Sequence, residues 1–165
     1  MTAERRQTKF DGLASSLRAA IALGTVLIWP FGAFATPHIV VNPHTGLAIS
    51  GFDPVAYFAE AKARFGVPQL EYRCGGAIWR FGNEGNRAAF AQHPDIYMPR
   101  FGGYDPVAIA RGVSVPGHPL IWLIAGQRLY LFYSEEARSA FVKQPERVIQ
   151  AAEQKWPTVA RTIAP

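Results

Sequence analysis

The chain has 165 residues, 49% hydrophobic and 18% charged, a balance that supports a packed core and excludes a disordered chain. Its 13 prolines and 15 glycines are spread along the sequence as turn punctuation and form no low-complexity tract. The net charge is +5, yet from residue 36 onward 13 Lys plus Arg stand against 10 Asp plus Glu, scattered and without a basic stripe, which argues against a nucleic-acid partner.

The first 18 residues carry four basic side chains, Arg5, Arg6, Lys9 and Arg18. An uncharged run of 17 residues follows from Ala19 to Ala35 and ends in Ala33-Phe34-Ala35, ahead of Thr36-Pro37. A charged start, an apolar middle and a small-residue cut are the parts of a secretory signal, and residues 1–35 are expected to be one. The alternative is an uncleaved anchor, with the folded part held at the inner membrane outside the cytoplasm. The run is short against the roughly 20 residues of a spanning helix. Gln7-Thr8-Lys9 after Arg5-Arg6 matches the twin-arginine signal poorly, so the general secretory route is expected. Either route places the domain outside the cytoplasm, in a bacterium the periplasm. A membrane partner follows only if the leader is retained.

Beyond a lead-in segment, residues 36–50, the sequence repeats. Gly51-Phe52-Asp53-Pro54-Val55-Ala56 returns 52 positions later as Gly103-Tyr104-Asp105-Pro106-Val107-Ala108. At a shift of 51, residues 75–95 lie over 126–146 with seven identities in 21 positions: Gly75, Phe81, Glu84, Arg87, Ala89, Phe90 and Pro94 recur as Gly126, Phe132, Glu135, Arg138, Ala140, Phe141 and Pro145. Duplication is the simplest account. The units run 51–101 and 102–160, with a tail at 161–165.

Each unit reads the same way. An Asp-Pro turn opens it, with the Asp placed to cap locally. Aromatic and β-branched runs split by a Gly-containing turn then predict a hairpin: Leu70–Tyr72 with Ile78–Phe81, and Leu120–Ile124 with Leu129–Phe132. Asn83 and Ser134 are placed as N-caps, with Glu84 and Glu135 in the first turn of a helix. Pro94 and Pro145 stop those helices. A second short helix is expected from about Pro145 to Lys155, with Trp156-Pro157 closing the domain. One unit of about 50 residues buries too little surface to stand comfortably alone. The expected fold is α+β, two tandem pseudo-symmetric β-hairpin–helix units sharing one core.

The run Gly51-Phe-Asp-Pro-Val-Ala-Tyr-Phe58, then Trp79-Arg-Phe81, then Asn86-Arg-Ala-Ala-Phe90 with Pro94-Asp-Ile-Tyr97, resembles a YHS domain protein. Phe101-Gly-Gly-Tyr104 and Leu129-Tyr130-Leu131 resemble the exported branch of that family. The resemblance covers almost all of the chain beyond residue 36. It implies a small metal-associated module whose thiols gather at the hairpin-to-helix corner. The three thiol positions fall here on Ala56, Gly82 and Asn86, and in the second unit on Ala108, Tyr133 and Ala137. All six lack sulfur, and soft metals need thiolate or imidazole ligands, so the family's site does not carry over.

Other chemistry is thin. Cys74, the one cysteine, has no intramolecular disulfide partner; it is a small buried hydrophobe or pairs with another molecule. His38, His44, His93 and His118 show no i, i+4 pair. A rebuilt copper or zinc site would draw on His44, Cys74 and His93; otherwise no cofactor is expected. Asp53 and Asp105 are repeat mates that serve either the turn or acid–base chemistry. No heme-attachment or serine-nucleophile motif is present. The aromatics Tyr57, Trp79, Tyr97, Phe101 and Tyr104, with Gly103 at the joint, read mainly as core; any left exposed would form a groove for a small ligand or a partner chain. The leading expectation is an exported, non-catalytic YHS-type module that binds a protein or small-molecule partner. A periplasmic copper or zinc protein is the alternative, and an enzyme the third.

Overall fold

A computed structural model describes residues 38–163, so the leader expected over residues 1–35 lies outside the described residues. The fold is α+β: α1 (Ala56–Ala59), β1 (Val67–Cys74), β2 (Ala77–Phe81), α2 (Glu84–Gln92), α3 (Pro94–Tyr97), α4 (Pro106–Ala110), β3 (His118–Ala125), β4 (Arg128–Phe132), α5 (Glu135–Lys143) and α6 (Pro145–Thr162). The strands form two antiparallel two-stranded sheets, β1–β2 and β3–β4. Among the described residues, no helix is long and apolar enough to cross a membrane.

The hairpins form where the aromatic runs predict them. Both loops have two residues, Gly75-Gly76 and Gly126-Gln127, and all four have positive φ, as the turn that matches strand twist demands. In each, the register shifts before the turn-proximal ladder, between Val67 and Glu71 and between His118 and Trp122. Asn83 Oδ1 accepts from Asn86 N at 2.8 Å, and Ser134 Oγ accepts from Ala137 N at 3.2 Å, capping α2 and α5. The repeated Glu and Arg of these helices are exposed ion pairs, Glu84–Arg87 and Glu135–Arg138, both 2.7 Å, of little weight for stability. Pro94 and Pro145 end α2 and α5 and become the first residues of α3 and α6, a place where the missing N–H costs nothing.

The two halves meet on β4. Leu129 and Leu131 belong to one buried cluster, with Trp79, Phe81, Phe90 and Tyr57. Tyr130 and Phe132 belong to a second, with Phe101, Ile109, Phe141 and Val159. Alternate residues of a strand point to opposite faces, so β4 is buried on both sides and serves both halves at once. Tyr57 adds a second link: its hydroxyl donates to the Pro119 carbonyl at 2.9 Å, and its ring meets Trp122 edge-on at 5.1 Å.

The lead-in segment is integral to the domain. Ala48 and Ile49 are core residues, Val40 N donates to Gly102 O at 2.8 Å, and Ala48 N donates to Ile78 O at 2.8 Å. Ahead of each Asp-Pro lies a left-handed turn: Ile49 and Ser50 at φ 42° and 55°, Phe101 and Gly102 at 55° and 64°. Ile49 and Phe101 are unusual there, and both are held by burial, at 1% and 6% exposure.

One expectation is corrected. Trp156-Pro157 does not close the domain; α6 runs through it to Thr162. Pro157 removes one helical hydrogen bond. The apolar face nevertheless continues at helical spacing through Ala152, Trp156 and Val159, and Trp156 packs on Phe101 and Tyr104 at 5.7 and 5.9 Å between ring centroids. That burial offsets the lost bond.

Candidate functional site

The two Asp-Pro turns carry the deepest polar groups of the domain. Asp53 is fully buried and Asp105 is 2% exposed. Asp53 Oδ1 accepts from Val55 N at 2.8 Å and Ala56 N at 3.3 Å, and Oδ2 accepts from Gly82 N at 2.8 Å and Asn86 Nδ2 at 2.6 Å. One oxygen caps the turn into α1, while the other reaches 29 and 33 residues ahead to the corner between β2 and α2. Asp105 repeats three of these four bonds. Its Oδ1 accepts from Val107 N at 2.7 Å and Ala108 N at 3.3 Å, and its Oδ2 accepts from Tyr133 N at 2.9 Å. Ala137 occupies the position that corresponds to Asn86 and offers no side-chain donor.

Ala56, Gly82 and Asn86 therefore converge on one carboxylate. Their counterparts Ala108, Tyr133 and Ala137 surround the other. The surroundings differ. In the first half Asn86 is nearly buried, and a β-carbon at Gly82 would stand 3.3 Å from Cδ of Arg64 and 3.4 Å from Oδ2 of Asp53; the corner is filled. In the second half a hollow of about 300 Å³ opens beside Asp105, walled by Ala108, Val115, Tyr133, Ala137 and Arg111 among others. Val115 takes the position of Arg64, and the Tyr133 side chain is 66% exposed at the rim. A larger groove of about 730 Å³ adjoins it between α4, α5 and α6 and shares Val107, Arg111, Glu136 and Ala140 with the hollow. The Glu136 carboxyl lies below the usual range because it accepts from its own backbone N–H and from the Ser134 hydroxyl.

The residues singled out in the sequence lie elsewhere. Tyr57 and Trp79 are fully buried, and Phe101 is 6% exposed. Burial, with the Asp53 charge adding to it, pushes the Tyr57 phenol well above its ordinary range, and burial also raises Tyr104. Tyr97 is half-buried against Phe58 at 5.4 Å. Gly103 is buried at φ 93°. The joint itself is packed by the chain's own Val40 and by Trp156 of α6; Tyr57, Trp79 and Phe101 are core residues, and Tyr97 and Tyr104 are partly buried against the two clusters.

His44 sits in an exposed turn, its N–H donating to Asn42 Oδ1 at 2.9 Å. His93 is exposed between α2 and α3. Cys74 ends β1, half-buried; burial raises its thiol, with the Gly75 backbone acting in the opposite sense. Its carbonyl accepts from Trp79 Nε1 at 3.0 Å. Among the described residues, no three His, Cys, Asp or Glu side chains gather as a metal site would require, so His44, Cys74 and His93 are not brought together.

What the sequence reading missed is the pairing of each buried Asp with the helix corner and the hollow beside Asp105. The signal was a disagreement between the repeats at the helix corner: Gly82 and Asn86 against Tyr133 and Ala137.

The fold and the site together define a small α+β module built around two carboxylate-tied turns. Comparison with protein-family models, with curated proteins and with solved structures gave no match.

Proposed function

We propose that the chain is an exported, non-catalytic binding module of the YHS type that has exchanged a metal-held corner for a hydrogen-bonded one. The observation that carries the reading is the convergence of Ala56, Gly82 and Asn86 on Asp53. Three positions that the YHS resemblance assigns to thiols meet at one point and are tied there by N–H donors. A buried carboxylate saturated by backbone and amide N–H groups holds a corner together. It is poorly suited to general acid–base work, which needs a carboxylate free to exchange a proton with substrate. Export rests on the leader alone.

Metal analysis of the purified chain tests the reading. The expected result is less than a tenth of an equivalent of copper or zinc after incubation with each and dialysis. One equivalent retained by the wild type and lost on His44→Ala or Cys74→Ala would overturn the scaffold reading in favour of a copper or zinc carrier.

A further inference from the structure

The repeat gives the second half an internal standard. A carboxylate offers about four lone-pair positions. Asp53 uses four, two on each oxygen. Asp105 uses three, and the position left over is on Oδ2, where Asn86 donates to Asp53 in the first half. Ala137 replaces Asn86, and the hollow of about 300 Å³ lies at that place, walled by Ala137 and by Asp105 itself. A buried polar group with capacity to spare, beside a space large enough for a small molecule, is the arrangement of a recognition site.

The geometry points to a ligand site in this hollow for a small molecule or side chain bearing a primary carboxamide. The amide N–H takes the position on Asp105 Oδ2 that Asn86 Nδ2 takes on Asp53. The apolar remainder lies against Val115 and the exposed ring of Tyr133. The carboxamide is specified because the first half already contains one in this place, donating at 2.6 Å. A carboxylate ligand is disfavoured: it carries no N–H and would bring a second negative charge to Asp105, with Glu136 also lining the hollow. Arg111 lies on the same wall and supplies N–H donors to the hollow. This inference rests on the reading of the chain as a metal-free binding module and names the chemistry such a module would take.

The test is a titration of the isotope-labelled full chain with propionamide and, in parallel, with propionate, followed by backbone amide shifts. Propionamide is expected to shift Ala108, Tyr133 and Ala137 in a saturable way, with a Kd on the order of 10 mM for so small a probe. Propionate is expected to bind at least tenfold more weakly. Ala137→Asn supplies the amide internally and is expected to abolish the propionamide shifts. No saturable shift at Ala108, Tyr133 and Ala137, equal response to both probes, or undiminished binding in a folded Ala137→Asn protein would each overturn the inference. The wild-type comparison decides even if a variant fails to fold. A folded, metal-free chain that ignores propionamide removes the ligand and leaves the module; a stoichiometric metal removes the module reading itself.

Discussion

The side-chain amide of Asn86 donates to the buried carboxylate of Asp53 across 2.6 Å and 33 residues of chain. Through that bond the opening turn of the first half is tied to the first turn of α2. The second half makes the same tie through the Tyr133 backbone alone. The two corners are therefore unequal in strength, which gives the first two expectations.

Asn86→Ala leaves Asp53 one donor short in the interior. The expected loss is about 1–3 kcal/mol of unfolding free energy, read from the denaturant midpoint. Asn86→Asp is expected to cost more at neutral pH and to recover part of the loss on acidification, because two facing carboxylates cannot both stay ionised without penalty. Equal stability of both variants with the wild type would remove the bond from any structural role.

Asp53→Asn is expected to destabilise more than Asp105→Asn. An amide has one acceptor oxygen where a carboxylate has two, so the substituted side chain in the first half would turn an NH2 toward the N–H of Gly82 and the amide of Asn86. In the second half only Tyr133 N is affected, and the hollow gives room to adjust. The difference is expected to be on the order of 1–2 kcal/mol, measured side by side by thermal unfolding.

A β-carbon at Gly66 would strike the backbone of Arg80 and Phe81, and one at Gly117 would stand 2.6 Å from Leu131 Cβ and 2.8 Å from Gly103 O. Neither neighbour is the end of a flexible side chain. Gly66→Ala and Gly117→Ala are each expected to cost about 3 kcal/mol or more. Gly112→Ala serves as a control: nothing lies within 4 Å of its β-carbon, so only its positive φ of 85° contributes, at roughly 1 kcal/mol.

Tyr57, Tyr104 and Tyr130 are all raised by burial. For an acid that is neutral when protonated, a raised folded value favours the protonated, folded form. That stability is fully present below the unfolded tyrosine value of about 10 and is lost as pH rises above it. Denaturant midpoints are expected to hold steady up to about pH 10 and then fall. Tyr57→Phe should flatten that fall while costing about 1 kcal/mol at neutral pH through loss of the bond to Pro119 O. An unchanged alkaline slope would show that Tyr57 is not the group responsible.

Truncation after Lys155 separates the end of the last helix read from the sequence from the one the fold uses, Thr162. It strips Trp156 from Phe101 and Tyr104 and Val159 from the core. Trp156 is partly buried and Val159 fully so, and deleting core side chains costs a few kcal/mol each, so the truncated chain is expected to lose much of its helical circular-dichroism signal, whereas one ending at residue 163 should retain it.

The local elements were legible in the sequence. Aromatic runs about a Gly turn gave both hairpins, and Asn83 and Ser134 gave both caps, because those signals act within a few residues. The Asp-Pro turns were legible as turns, but the distal oxygen of each Asp binds 28 or 29 residues away, and nothing near an Asp in sequence records that. The continuation of α6 was hidden because Pro157 is a local stop signal overridden by tertiary packing. The left-handed turn at Ile49-Ser50 carries no glycine at those two positions; only its match to Phe101-Gly102 would have exposed it. The aromatics at Phe101–Tyr104 were legible as mainly core, but their packing partners Val40 and Trp156 were not, because neither is near them in sequence.

The double-faced strand β4 has a kinetic consequence. Each half closes on its own carboxylate by loops of nearly equal length, 29 residues from Asp53 to Gly82 and 28 from Asp105 to Tyr133, and closure entropy rises only slowly with such lengths. Neither loop needs the other half. The contacts that do are those of Leu129 and Leu131 with the Trp79 cluster and the Tyr57 bond to Pro119 across 62 residues. The expected order of events is two separate closures followed by a single docking across β4, so a substitution at Leu129 or Leu131 should chiefly accelerate unfolding, while one at Asp53 or Asp105 should slow the approach to the folded state.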